Sequence, residues 1–244
     1  MPVQIVLIAP GKEDAFKHEQ AAPLECLIRQ SCPQVQLRLV FAASAPPLTE
    51  FKAESDKGRL LFLPLFVLPG QEFTAMQDKY GFAGHAAPAA CPLLEKASVR
   101  AELADCFQKQ QRLGAGEAVL YLAHTSAYPE ARACLRAFEQ DLQQRYPAQF
   151  IFSFSPDLSL LQQTLASVGA RRVILRLLTV FYGQRLREEL EGRQGITACL
   201  QRAGFACSVD GGGLIACETA QAVWLRQLAQ LLGKDRPGPA RAGE

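Results

Sequence analysis

Short runs that are apolar at every position alternate along this chain with longer stretches in which apolar residues recur every three or four places. "AVLYLA" (118–123), "QFIFSF" (149–154) and "RRVILRLLTV" (171–180) are brief, rich in β-formers and almost without a polar face. Strands of a parallel sheet covered by helices on both sides have that pattern. After the first of them, Leu135, Phe138, Leu142 and Tyr146 recur at helical spacing behind Pro129 and Glu130, residue types suited to a first helical turn. "FSPDLSLLQQ" (154–163) carries Pro156 and Asp157 as a helix start. The order predicted is β-α-β-α-β, completed by a strand at "FACSVDG" (205–211) and a helix from about Cys217 to Leu232. The first half of the chain follows the same plan less cleanly. Pro23 interrupts its first helical pattern, and "AGHAAPAACPLL" (83–94) reads as an irregular fourth strand.

The two halves repeat. Shifted by 114 residues, "VQIVLIAPGK" (3–12) falls on the strand that ends at Ala123, so that Pro10 meets His124 and Pro33 meets Pro147. At an offset of 113, "LLFLPLFVLPGQEF" (60–73) meets "VILRLLTVFYGQRL" (173–186), with Gly70 and Gln71 on Gly183 and Gln184. Matches in order at a nearly constant offset are the mark of an internal duplication. The reading is an α/β protein of two similar lobes, each a small parallel β-sheet flanked by helices: residues 1–114, residues 115–232, and a Pro/Gly-rich tail, 233–244, expected to be disordered. The 244 residues suffice for two modest cores.

Composition narrows the function classes. A net charge of +2 gives no overall argument for nucleic-acid or membrane binding. The N-terminal apolar run is too short to span a bilayer and lacks the marks of a secretory signal, so the expectation is a cytoplasmic protein, monomer or homodimer. Eight cysteines without a C-x-x-C pair read as reduced packing residues.

Ligands of open parallel sheets bind outside the carboxyl ends of the strands. Four loops qualify: "APGKED" (9–14), "VLPGQEF" (67–73), "AHTSAYPE" (123–130) and "VFYGQRLREE" (180–189). His124 stands at the end of a buried strand, where imidazole can hold a divalent metal or take a proton near neutral pH. His18 and His85 have no equivalent placement. Glu72 stands one residue past the "GQ" at the end of the first half's third strand, opposite Arg185 in the repeat, and can serve as a hard metal ligand or a base. Lys12, Arg185 and Arg187 offer positive charge to a polyanion, with Gln71, Ser126, Tyr182 and Gln184 as polar liners. "DGGGL" (210–214) lacks the features of a P-loop or dinucleotide fingerprint and reads as a turn, and Ser126 lacks the setting of a hydrolase nucleophile.

"LYLAHTS" (120–126), "LLFLPLFVLPGQEF" and "HAAPAACPLL" (85–94) together resemble the class II tetrapyrrole chelatases, in particular the long, two-lobed sirohydrochlorin chelatases of the CbiX type. The resemblance covers nearly all of the chain before the tail. It implies insertion of Fe²⁺ or Co²⁺, as substrate metal and with no permanently bound cofactor, into sirohydrochlorin, an octacarboxylate tetrapyrrole. Iron points to siroheme and cobalt to cobalamin. Such proteins usually carry both metal-binding histidines in the first half, where this chain has Pro10 and Glu72. The expectation is that His124 is the principal metal ligand and base, assisted by Glu72, with Arg185 and Lys12 meeting substrate carboxylates. A non-catalytic tetrapyrrole or metal carrier is the alternative from a different class.

Overall fold

The computed structural model describes residues 3–54, 58–80, 91–110, 113–124, 126–154 and 157–233. The first half supplies β1 (Val3–Ala9), α1 (Ala15–Ser31), β2 (Val35–Phe41), α2 (Leu48–Glu54), β3 (Arg59–Pro64), α3 (Gln71–Tyr80) and α4 (Ala97–Gln110). The second supplies β4 (Glu117–Ala123), α5 (Pro129–Arg145), β5 (Gln149–Ser153), α6 (Leu158–Ser167), β6 (Arg172–Leu177), α7 (Gln184–Glu191), α8 (Ile196–Arg202), β7 (Ala206–Asp210), a 3-10 turn (Leu214–Ala216) and α9 (Glu218–Leu232). Two wholly parallel sheets result, ordered β2-β1-β3 and β5-β4-β6-β7.

The central strands β1 and β4 are buried on both faces because each face meets a different core. In β1, Val6 and Ile8 point outward to a cluster with Phe51, Phe73 and Met76 of α2 and α3. In β4, Leu120 and Leu122 point outward to Leu161, Leu190 and Leu200 of α6, α7 and α8. The alternate residues of both strands, Ile5 and Leu7 with Val119 and Tyr121, enter one cluster common to the two halves. Burial of each such side chain contributes about 1.5–3 kcal/mol, and the shared layer makes the halves one hydrophobic unit.

The final helices are exchanged. α4, from the first half, packs against α5, where Phe107 stacks on Tyr121 at 5.5 Å and meets Phe138 edge-on at 6.2 Å. Ion pairs Arg100–Asp141 and Arg145–Asp105 line the same contact. α9, from the second half, packs on β3, and Arg59 of that strand donates to the carbonyls of Leu231 and Leu232 at the helix end. The turns before these helices repeat as well. Leu93 and Leu94 N–H donate to the carbonyls of Phe66 and Val67, while Leu214 and Ile215 N–H donate to those of Thr179 and Val180.

Two details differ from the sequence reading or lie beyond it. α1 does not break at Pro23 but runs through it. Pro23 lies on the exposed side, between buried Ala21 and Leu24, so water can satisfy the carbonyl that loses its helical donor. Residues 83–90 of the expected fourth strand, together with His85 and the tail from 234 onward, lie outside the described residues. Among the described residues no helix is long and apolar enough to cross a membrane.

The halves are also clasped by a polar contact. The Gln20 side chain of α1 accepts from Tyr182 N–H and donates to Tyr182 carbonyl, each at 2.9 Å. Arg187 lies over two rings, Phe16 from the first half at 5.0 Å and Tyr182 from the second at 5.5 Å.

Replacing Pro23 by Ala restores a helical donor and should stabilise the protein by up to about 3 kcal/mol in urea unfolding, less what the unfolded chain regains in freedom; a loss of stability would show that the proline is needed where it stands. Gln20→Ala strands two backbone groups and should cost about 1–3 kcal/mol in the same measurement, whereas unchanged stability would mean that the clasp does not hold in solution.

Candidate functional site

The four strand-end loops meet across the halves. Gly70, just before α3, faces Ser126: a Cβ on that glycine would sit 3.7 Å from the Ser126 hydroxyl. Its counterpart Gly183, just before α7, faces the start of α1, with a Cβ meeting Lys17 at 3.3 Å and Asp14 at 3.8 Å. A Cβ at Gly70 would make ordinary contact with Ser126, and one at Gly183 would ask the flexible end of Lys17 to give by a few tenths of an ångström, so the facing elements are in close contact at both places. The pairings are related as the repeat predicts: the loop after the third strand of each half lies on the loop after the first strand of the other.

His124 follows β4 directly, at the carboxyl end of the strand. Its ring rests on Phe154, centroid to centroid 4.8 Å and tilted by 47°. Although part of the residue is exposed, the surrounding walls desolvate the ring and hold its pKa below the ordinary 6.5. Four charges act on it besides: Glu189 raises the pKa, Arg185 lowers it, Glu72 raises it and Lys17 lowers it. Burial is the largest of these influences and the net shift is downward, so the imidazole is neutral at neutral pH and has a lone pair to offer.

Glu72 lies in the first turn of α3, exposed, two residues beyond the glycine that faces Ser126. The dipole of that helix favours its negative charge there. Arg185 is exposed at the start of α7 and pairs with Glu189 one turn on, Nε to Oε1 2.8 Å. Lys17 belongs to the first turns of α1, which Asp14 caps by accepting from Phe16 N–H at 2.9 Å. Its ammonium donates to the Lys12 carbonyl at 2.8 Å and lies over the Phe41 ring.

The structure thus gathers His124, Glu72, Arg185 and Ser126. Gln71 is exposed at the head of α3 beside Glu72, and Gln184 is exposed on α7 with its amide on Glu188 at 3.2 Å. The lysine whose charge reaches His124 is Lys17, with Lys12 exposed on the adjoining loop. Tyr182 is not a wall of the cleft by its side chain. Its ring is buried in the outer core of the second half and its phenol is bonded to Glu191 at 2.5 Å, which together with burial pushes its pKa well up. Its residue type suggested a liner, yet the apolar ring outweighed the hydroxyl.

Lys17 and Glu189 are the residues that the sequence reading missed. Both are one helical turn inside an element whose first residues had been singled out, Lys17 behind the "GKED" loop and Glu189 behind Arg185. Helical periodicity from the loop inward is the signal that could have found them.

A groove of about 640 Å³ continues from the site along α7 and α8, lined by Phe154, Leu158, Arg185, Glu189, Arg193 and Ile196 among others. Among the described residues no group of three or more His, Cys, Asp or Glu stands ready to hold a metal ion. The donors on the two sides of the cleft are single, His124 from the second half and Glu72 from the first.

No protein-family model and no curated protein sequence matches this chain. Solved structures do. The sirohydrochlorin chelatase SirB from Bacillus subtilis subspecies spizizenii, in complex with cobalt, superposes with a TM-score of 0.63 at 13% identity over 96% of this chain and 97% of its own. SirB from Bacillus subtilis with Fe³⁺ gives 0.63 at 12% identity over 95% and 96%. CbiX, described as the terminal enzyme of siroheme biosynthesis in denitrifying bacteria, gives 0.59 at 15% identity over 93% and 98%. The chain has the two-lobed class II chelatase fold along nearly its whole length.

Proposed function

We propose that the protein is a chelatase that inserts a divalent metal into sirohydrochlorin, with His124 as the group that first holds the ion and, once the ion has passed to the macrocycle, takes one of the two departing protons, the other going to the Glu72 carboxylate. The observation that carries this reading is a desolvated, neutral imidazole at the end of β4, facing the Glu72 helix of the other half. Insertion requires that an ion shed water and move onto pyrrole nitrogens while two N–H protons leave. A neutral imidazole serves both needs, and a carboxylate across the cleft shares them. Loose holding suits an ion that is cargo. A mixed imidazole and carboxylate donor pair is harder than a pair of histidines, and on that ground Fe²⁺ is the metal and siroheme the product.

The charged rim fits an octacarboxylate. The Arg185–Glu189 pair is exposed and worth only about 0.5 kcal/mol, so Arg185 can exchange Glu189 for a substrate carboxylate at little cost. Glu189 then acts on His124 without its partner and raises the basicity of the ring as the macrocycle's protons must go. Lys17, Lys12 and Arg187 supply further positive charge, with Gln71, Gln184 and Ser126 as neutral donors along the cleft.

A second reading, a non-catalytic tetrapyrrole carrier, draws on the lack of a three-donor metal group among the described residues. Anaerobic absorbance spectra with sirohydrochlorin and Fe²⁺ or Co²⁺ separate the two, since a carrier binds the tetrapyrrole without accelerating metallation by either ion.

His124→Ala should lower the insertion rate by about 100-fold or more while sirohydrochlorin still binds; an unchanged rate would exclude His124 from the chemistry. Because the folded pKa of His124 is depressed, the base form persists on acidification, and the acid limb of the pH–rate profile should fall below pH 6.5. Removing a group that raises the pKa moves the limb further down, so Glu189→Gln should shift it to lower pH and Arg185→Gln to higher pH. A limb above pH 6.5, or one that neither variant moves, would assign the titration to another group.

A further inference from the structure

The two helices that the halves exchange carry a pair of thiols at their contact. Cys106 lies on α4, from the first half, and Cys217 precedes α9, from the second, where its carbonyl accepts from Gln221 N–H at 2.9 Å. The side chains of the two cysteines are hydrogen-bonded to one another. The helices pack together, and Glu102, one turn before Cys106 on α4, pairs with Arg226 of α9 at 2.6 Å. The approach of the two sulfurs is therefore set by a contact between helices and not by the freedom of a loop.

Both cysteines are reduced and half-buried, neither being sealed into the core. Cys217 lines a cavity of about 310 Å³ whose wall also includes Phe107, the residue after Cys106. Burial pushes the Cys217 thiol up, the Ala220 amide at the head of α9 opposes this and Cys106 adds to it, so at neutral pH Cys217 rests as the thiol. A hydrogen bond between two thiols is weak. Stability alone gives little reason to set two of them against each other across the junction of the halves.

We infer that Cys106 and Cys217 form a reversible disulfide site, closed by exchange with a low-molecular-weight disulfide and opened again by thiols. The thiolate of one cysteine attacks the small disulfide and releases one small thiol, and the second cysteine then displaces the other. One S–S bond is broken and one is formed: the reagent is reduced to two thiols, which take the two cysteine protons, and the cysteine pair is oxidised. The sulfurs need only close from hydrogen-bond separation to about 2.05 Å. The bond ties α4 of the first half to the turn Leu214–Ala216 of the second, whose amides hold the Thr179 and Val180 carbonyls. It also closes a loop of about 110 residues, long enough for a cross-link to restrain the unfolded chain strongly. The exchanged helices thereby become a covalent latch between the halves, apart from the chemistry at His124.

Treatment of the full reduced chain with hydroxyethyl disulfide at about pH 8, where more thiolate is present, followed by peptide mass mapping without reduction, tests this. The expected product links Cys106 to Cys217 and melts about 10 °C above the reduced chain, both changes being undone by dithiothreitol. Cys106→Ser should abolish the link and the difference in melting temperature between treated and untreated protein. Cys217→Ser should do the same, and it carries the test if the first variant does not fold. Because each variant is compared with itself before and after treatment, a general loss of stability does not imitate the result. Mixed disulfides at the two positions with no bond between them, links confined to other cysteines, or a shift that survives in either folded serine variant overturns the assignment.

Discussion

The inner faces of both sheets are covered by side chains of α1, α4, α5 and α9, which join them in one apolar cluster. Ile5, Leu7 and Leu24 from one half, Tyr121, Phe138 and Trp224 from the other, belong to the same cluster. These helices pack on one another as well as on the strands, so the spacing of the two sheets is set by close packing, which tolerates little slack. Everything at the carboxyl ends of the strands inherits that spacing: the approach of Gly70 to Ser126, of Gly183 to Lys17, and the Gln20 clasp on Tyr182.

The field at His124 follows from this arrangement. Two of its four charges come from each half, Glu72 and Lys17 from the first, Arg185 and Glu189 from the second, and in each half one sign opposes the other. Desolvation is the largest influence on the ring and sets the direction of its shift. Stability and reactivity are separate here: the ion pairs between α4 and α5 are remote from the ring, whereas the pairs near it are exposed and weak.

Much of this was legible in the sequence, for a physical reason. Strands buried on both faces leave unbroken apolar runs, and Ala118 to Ala123 could hardly be anything else. The repeat offset then located the loops, and the loops located His124, Glu72 and Arg185. What periodicity could not supply is direction. Tyr182 shares its loop with Gly183 but turns its ring inward, a choice made by Leu186 and Leu190 behind it. Pro23 reads as a stop by its chemistry, yet tertiary packing of Ala21, Leu24 and Ile28 carried α1 past it. Lys17 and Glu189 were hidden because their importance lies in distance through space to a residue far away along the chain.

The exchange of α4 and α9 makes the two halves depend on one another. The first half lends Phe107 to the sheet of the second, and receives α9 over Arg59 in return. Cut apart, each half would lack a cover for the strands it leaves bare and would find that cover only in another molecule. Each half is thus completed by the other, and within that shared frame the two equivalent strand ends carry different chemistry, Pro10 on one and His124 on the other.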